Sequence, residues 1–335
     1  MAILNKSIKA SGGDYTSLSL FEAALPAAGS DTWIGTYDEA LSDTTPVTFS
    51  GIGASVTVEV TVAEAYRCKG AVSGTHAELS VVGVGATRTI NNTGHPLLTI
   101  RHLRIVRDGA TASAYTIVES AASGSPLYDS CTFIRRNAST TGSELMVCNA
   151  AGAPIFRNCF FIASGYNNGG LNVCNNVAGA PIFQNCTFFV PDGTVARIYN
   201  TGGTCVTDMR NCLAIKAAGA VGSACYNGLA ARWHASSTKN AATDTTANSA
   251  TGPSLDGYNS VSVASITTQT VGSENLHFGS YGAMAAIGAG ADLSGTFSTD
   301  IDGEVRSGWY TGADWLPTPS DGGGRGLRLG MRLGL

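Results

Sequence analysis

Between Leu98 and Asn227 the apolar residues fall into short runs separated by Gly, Asn and Ser, and the runs recur along the chain. Four of them read Asp129-Ser-Cys-Thr-Phe-Ile, Arg157-Asn-Cys-Phe-Phe-Ile, Gln184-Asn-Cys-Thr-Phe-Phe and Arg210-Asn-Cys-Leu-Ala-Ile. Their cysteines, Cys131, Cys159, Cys186 and Cys212, recur at a nearly constant step in the upper twenties. A weaker copy, Arg101-His-Leu-Arg-Ile-Val, puts Leu103 one more such step upstream. Two further motifs keep the same step. One is Val147-Cys-Asn, Val173-Cys-Asn, Ile198-Tyr-Asn and Cys225-Tyr-Asn; the other is Ser125-Pro-Leu-Tyr, Ala153-Pro-Ile-Phe and Ala180-Pro-Ile-Phe.

A period in the twenties means one small supersecondary unit stacked many times. A leucine-rich repeat would need Leu at fixed offsets and a helical return segment, and neither is present. Each repeat instead offers two or three short β-runs with Gly, Asn or Ser corners. The pattern predicts a right-handed parallel β-helix with coils of about 26–28 residues, each strand pairing with its equivalent about 4.8 Å away. Alternate residues of Asn-Cys-Thr-Phe point in and out, so Cys131, Cys159, Cys186 and Cys212 are expected to face the interior with Phe133, Phe161 and Phe188. One cysteine per coil is a file and not a tetrahedral metal cluster, and small apolar thiols are commonly buried. The asparagines beside the cysteines suit corners, where Asn tolerates the left-handed conformation and bonds local backbone. Asn175, Asn200 and Asn227 are expected to form a ladder.

Outside the repeat the pattern changes. Leu18, Phe21 and Leu25 share one face of a short helix that Thr16 or Ser17 caps and Pro26 follows, a plug for the first coil. Val56-Thr-Val-Glu-Val-Thr-Val alternates as a strand. Asn240 to Ser273 is poor in large apolar residues and reads as irregular last coils. The organisation is therefore an N-terminal strand and helix over 1–30, a β-helix over 31–240, C-terminal coils or cap over 241–316, and an extended tail over 317–335. In that tail Leu327, Leu329, Met331, Leu333 and Leu335 alternate with Arg328, Gly330, Arg332 and Gly334. Strict period two describes a half-buried strand, and a greasy strand after a Gly hinge is expected to dock, either back on its own final coil or by strand addition to a partner whose acidic groups pair with Arg328 and Arg332.

Composition agrees with this reading. Only 13% of the 335 residues are charged, against 44% apolar, and 42 are glycine, a mixture suited to short strands and tight turns. A net charge of −4 gives no global attraction to nucleic acid or to an anionic membrane, and neither is an expected partner. The N-terminal residues lack the apolar stretch of a signal peptide, so synthesis in a cytoplasm is expected, with nine cysteines kept as reduced, buried thiols.

The Asn-Cys-Thr-Phe coils and the closing Asp300-Ile-Asp-Gly-x-x-Arg306, followed by Gly312-Ala-Asp314, resemble the pectin-lyase-like β-helix superfamily. The opening Ala10-Ser-Gly-Gly-Asp-Tyr-Thr-Ser-Leu, with Phe21-Glu-Ala-Ala, is similar to β-helical proteins encoded by tailed bacteriophages. This fold hosts lyases, hydrolases, adhesins and inert virion parts, so role has to be read from sites.

Polysaccharide cleavage needs a paired acid and base or a bound cation. From Ser125 to Asn227 the acids are Asp129, Glu144, Asp192 and Asp208, none at equivalent positions of adjacent coils. Asp129 and Asp208 are three coils apart, roughly 14 Å at 4.8 Å per coil, beyond the roughly 9.5 Å limit of an inverting carboxylate pair. Asp300 and Asp302, as Asp-x-Asp-Gly, are weak candidate ligands for calcium without the downstream Glu of an EF-hand loop. Gly51-Ile-Gly and Gly288-Ala-Gly lack the context of a nucleotide site, and Arg135-Arg136 reads as a solvated corner. No cofactor and no catalysis are expected. The resemblance instead implies a virion structural protein, a capsid decoration or auxiliary protein that forms a trimer and contacts the major capsid protein or other virion proteins. The alternatives are a tail spike or fibre binding a host surface glycan, and a polysaccharide lyase or hydrolase.

Overall fold

The computed structural model describes residues 1–69, 74–82, 88–93, 95–109, 115–119, 124–136, 144–148, 152–164, 172–191, 197–201, 205–217, 224–247, 257–262, 264, 266–270 and 273–316. The tail with Leu327, Arg328, Leu329, Met331, Arg332, Leu333 and Leu335 lies outside the described residues.

Three parallel sheets run along a β-solenoid of about seven turns. Sheet 1 has eight strands, from Ile3–Ile8 to Asp208–Arg210; sheet 2 has eight, from Ser42–Asp43 to Ala241–Ala242; sheet 3 has seven, from Val47–Phe49 to Ala224–Asn227. One coil runs Leu127–Asp129 in sheet 1, Thr132–Arg136 in sheet 2 and Met146–Cys148 in sheet 3, then re-enters sheet 1 at Ile155–Arg157. Pairing is in register with the repeat: Phe133 opposes Phe161, which opposes Phe188, and Tyr128 opposes Phe156, which opposes Phe183.

In the coils from Leu98 to Asn227 the corner between sheets 1 and 2 contains one residue with positive φ. His102, Ser130, Asn158, Asn185 and Asn211 have φ of 60°, 54°, 49°, 51° and 55°. Left-handed backbone costs an ordinary side chain about 1–2 kcal/mol and Asn less, which accounts for the Asn placed before each later cysteine.

Inside the solenoid side chains stack coil on coil. Phe133, Phe161 and Phe188 form one column with near-parallel rings at 4.9 and 4.8 Å between centroids. Tyr128, Phe156 and Phe183 form a second at 5.0 and 4.9 Å, and the columns meet edge to face. The helix Leu18–Ala23 (α1) covers the first coil with Leu18 and Phe21, capped by the Ser17 hydroxyl accepting from the Leu20 amide at 3.2 Å. Gly35 lies close beneath it: a Cβ there would sit 3.0 Å from the Phe21 ring, so the ring would have to shift by a few tenths of an ångström.

Sheet 2 departs from simple in-out alternation. Its outward residues Ile134, Phe160, Ile162, Phe189, Leu213 and Ile215 are also buried, in a second core. The C-terminal segment supplies the other half of that core through Ile266, Leu276, Phe278, Met284, Ile287, Ile301, Ala313 and Trp315. After Ala241–Ala242 extends sheet 2, the chain thus turns back and lies along the outside of the solenoid, with the hairpin pair Ile266–Thr268 and Asn275–Phe278 and the helix Tyr281–Ile287 (α2) in the covering layer. Burial of apolar area at roughly 25 cal/mol per Å² drives this docking.

Candidate functional site

Cys131, Cys159, Cys186 and Cys212 are fully buried in the inner core, and all nine cysteines are free thiols. Each Sγ of the file approaches two main-chain carbonyls: Cys159, for example, donates toward Arg157 O at 3.1 Å and Tyr128 O at 3.4 Å. Burial pushes the thiols of Cys131, Cys159 and Cys186 well above the ordinary range, so they are neutral and unreactive.

Two asparagine ladders run along the solenoid. In sheet 3 the Asn227 amide donates to Asn200 Oδ1 at 2.8 Å, and that of Asn200 to Asn175 Oδ1 at 3.1 Å. At the corner before sheet 2, Asn211 donates to Asn185 at 3.0 Å and bonds Ala291 both ways, at 2.8 and 2.6 Å. Asn185 donates to Gly312 O and Asn158 to Thr299 O. The corner asparagines therefore bond backbone far along the chain, in the covering layer, where the sequence suggests local bonds.

On the outer face of sheet 1 the carboxylates are held by cations. Asp129 sits between Arg101 and Arg157, each at 3.9 Å, and Arg101 also reaches Glu59 at 3.5 Å. Burial pushes the Asp129 carboxyl up, opposed by those two arginines. Asp208 is clamped by Arg210 at 2.5 Å and lies 3.8 Å from His234. The two aspartates are in different files: Asp129 leads through Arg157 and Gln184 to Arg210, whereas Asp208 opposes Ile182. Arg135, expected at a solvated corner, is instead fully buried and donates to Arg107 O at 3.3 Å and Arg136 O at 2.8 Å. Its guanidinium satisfies carbonyls beside the solenoid wall, a role that a local reading of two adjacent arginines does not expose.

One further cluster is assembled from three segments of the covering layer. The turn after Thr299 is closed by the Asp300 carboxylate, whose Oδ1 accepts from the amides of Asp302 and Glu304 at 3.0 and 2.9 Å. This places Asp302 against His277, with Nε2 at 3.1 and 3.0 Å from its two oxygens. Asp314 arrives from the last described stretch, its Oδ2 accepting from the Phe278 amide at 2.7 Å. One ligand atom each from His277, Asp302 and Asp314 lie within 4.8 Å of one another. Arg306 runs beneath, donating to Thr299 O at 3.3 Å and Ala313 O at 2.6 Å.

Burial, with Asp302 and Asp314 nearby and chiefly Arg306 to oppose, lifts Asp300 to about 7. Burial likewise lifts Asp314 to about 6 against His277 and the Phe278 amide. Burial would lower His277, but the Asp302 hydrogen bond and the neighbouring carboxylates outweigh it and raise it. Of the sequence candidates, Asp302 is a member of this cluster and Asp300 braces its turn. His277 and Asp314 escape a reading of the sequence, because each lies outside the short Asp-x-Asp-Gly segment and no local motif joins them to Asp302.

The fold defines the class, a parallel β-solenoid clad on one side by its own C-terminal segment. Comparison with known protein families, curated proteins and solved structures gives no match. Among the described residues no helix is long and apolar enough to cross a membrane.

Proposed function

We propose that this chain is a structural protein of a bacteriophage particle, a decoration or auxiliary protein on the capsid surface, and not a polysaccharide-cleaving enzyme. The observation that carries the non-catalytic reading is the commitment of the coil carboxylates: Asp129 lies between two arginines and Asp208 is clamped by a third. Each carboxylate is engaged by arginines of the coil wall and the two lie in different files of the solenoid, so together they do not make the acid–base pair that cleavage requires. Continuous ring columns, asparagine ladders and a clad outer sheet suit a stiff object displayed on a surface. The virion assignment rests on the likeness of residues 10–24 to phage β-helical proteins, and assembly as a trimer with capsid contacts belongs to the same proposal.

Antibody raised against the purified chain and imaged on phage particles by electron microscopy tests it. Label distributed over the capsid is the expected result. Label confined to the tail tip would move the protein to the spike and glycan-binding class, and unlabelled particles would overturn the virion role. Incubation with anionic and neutral polysaccharides is expected to release no reducing or unsaturated ends. Release that disappears in Asp129→Asn would restore the enzyme reading.

A further inference from the structure

We propose that His277, Asp302 and Asp314 form a binding site for a divalent transition-metal cation, held through the imidazole Nε2 and two carboxylates with water completing its coordination. The three ligand atoms already lie within 4.8 Å of one another. Three atoms bound to one ion at about 2.1 Å lie roughly 3–3.6 Å from one another, so side-chain movements of about an ångström close the site.

Three features point to a ligand beyond the acidic cluster itself. Asp314 is 1% exposed; one of its oxygens takes the Phe278 amide, and the other, Oδ1, is buried with no hydrogen-bond partner. A buried carboxylate oxygen without a donor calls for a cation. His277 is oriented as a ligand imidazole: its Nδ1 is 2.5 Å from Asn275 Oδ1, which also accepts the His277 main-chain amide. Asn275 Oδ1 holds the proton on Nδ1, so the Nε2 that now donates to Asp302 would exchange its proton for the ion, the second-sphere arrangement typical of metal-bound histidine. The charges also balance, since two carboxylates neutralise a dication while Asp300 is opposed by Arg306.

The donor set selects the ion. Calcium takes oxygen ligands and magnesium holds its waters, whereas one imidazole with two carboxylates suits zinc or manganese. The side chains of His277 and Asp302 are 19% and 21% exposed, so an ion can enter from solvent. Because the cluster joins Asn275–Phe278 to the turn at Asp302 and to Asp314, a bound ion would cross-link the covering layer. This inference does not depend on the particle role.

The test is calorimetric titration of the full-length chain, dialysed against chelator, with zinc chloride, manganese chloride and calcium chloride in separate experiments. One site per chain for zinc or manganese is expected, weakened at least tenfold in Asp302→Asn and in His277→Gln. Both positions are half-buried, and circular dichroism matching the parent establishes that each variant is folded. Zinc or manganese is also expected to raise the melting midpoint of the parent and not of Asp302→Asn. No binding, equal affinity in parent and variants, or tighter binding of calcium than of zinc would each overturn the assignment, leaving His277 and Asp302 as an ion pair only.

Discussion

At the scale of single residues, the cysteine file shows how a solenoid interior uses a small apolar side chain. Each thiol lies between main-chain carbonyls of its own coil and the coil before, so a serine there would find an acceptor. Cys159→Ser and Cys186→Ser are therefore expected to cost about 1 kcal/mol, the low end of the range for a buried hydroxyl, as read from guanidinium denaturation. Thiol reagent should label none of the nine cysteines until denaturant is added. The pH dependence follows from burial raising Cys131, Cys159 and Cys186. The folded thiols keep their protons while unfolded ones lose theirs above about pH 8.5. Above that pH the unfolded state binds fewer protons, so stability is expected to fall as pH rises from about 8.5 to 10, and denaturation midpoints across that interval measure it.

At the scale of elements, the corner asparagines do two jobs, and substitution separates them. Asn211→Gly keeps a residue at ease with φ of 55° but removes the bonds to Ala291 and Asn185. Asn211→Ala removes the bonds and adds strain, so it is expected to be about 1–2 kcal/mol less stable than the glycine variant by thermal denaturation. Both should speed protease cleavage within residues 279–316. The outward face of sheet 2 gives a second test. Phe189→Asp places a charge where the covering layer packs, away from the inner columns. It is expected to release the C-terminal segment, seen as fast hydrogen exchange over 275–316, while the coils stay protected. If exchange rises equally along the whole solenoid, the two cores are a single cooperative unit.

At the scale of the whole molecule, a solenoid passes stability from coil to neighbouring coil and must cover its ends. Helix α1 covers the first coil, and the returning segment clads one wall from Asn158 to Asn211. On the proposed surface role, with this wall covered from within the chain, partner contacts are expected on the other faces and at residues 317–335. Deleting 317–335 is expected to leave the melting midpoint within about 2 °C, on the order of the shift that 1 kcal/mol gives in a chain of this size, and to abolish assembly. Sedimentation velocity and particle occupancy measure the second effect. Unchanged assembly would show that the tail is not an anchor.

The period, the coil of short strands, the inward partnership of Cys131 with Phe133 and the asparagine corners were legible because each depends on residues within one repeat: alternation sets the face, and Asn marks the bend. One sign of the second core was also in the sequence, since Phe160-Phe161-Ile162 and Phe188-Phe189-Val190 are apolar on both faces, the mark of a sheet covered on each side. Which segment covers it was not legible. Residues 275–316 carry no repeat, and their place is decided by the apolar wall left over once the coils have stacked. The same tertiary choice brings Asp314 to His277 and sends the side chains of Asn158, Asn185 and Asn211 to backbone far along the chain. Local chemistry wrote the coil; the competition among distant surfaces for the same apolar face placed everything laid against it.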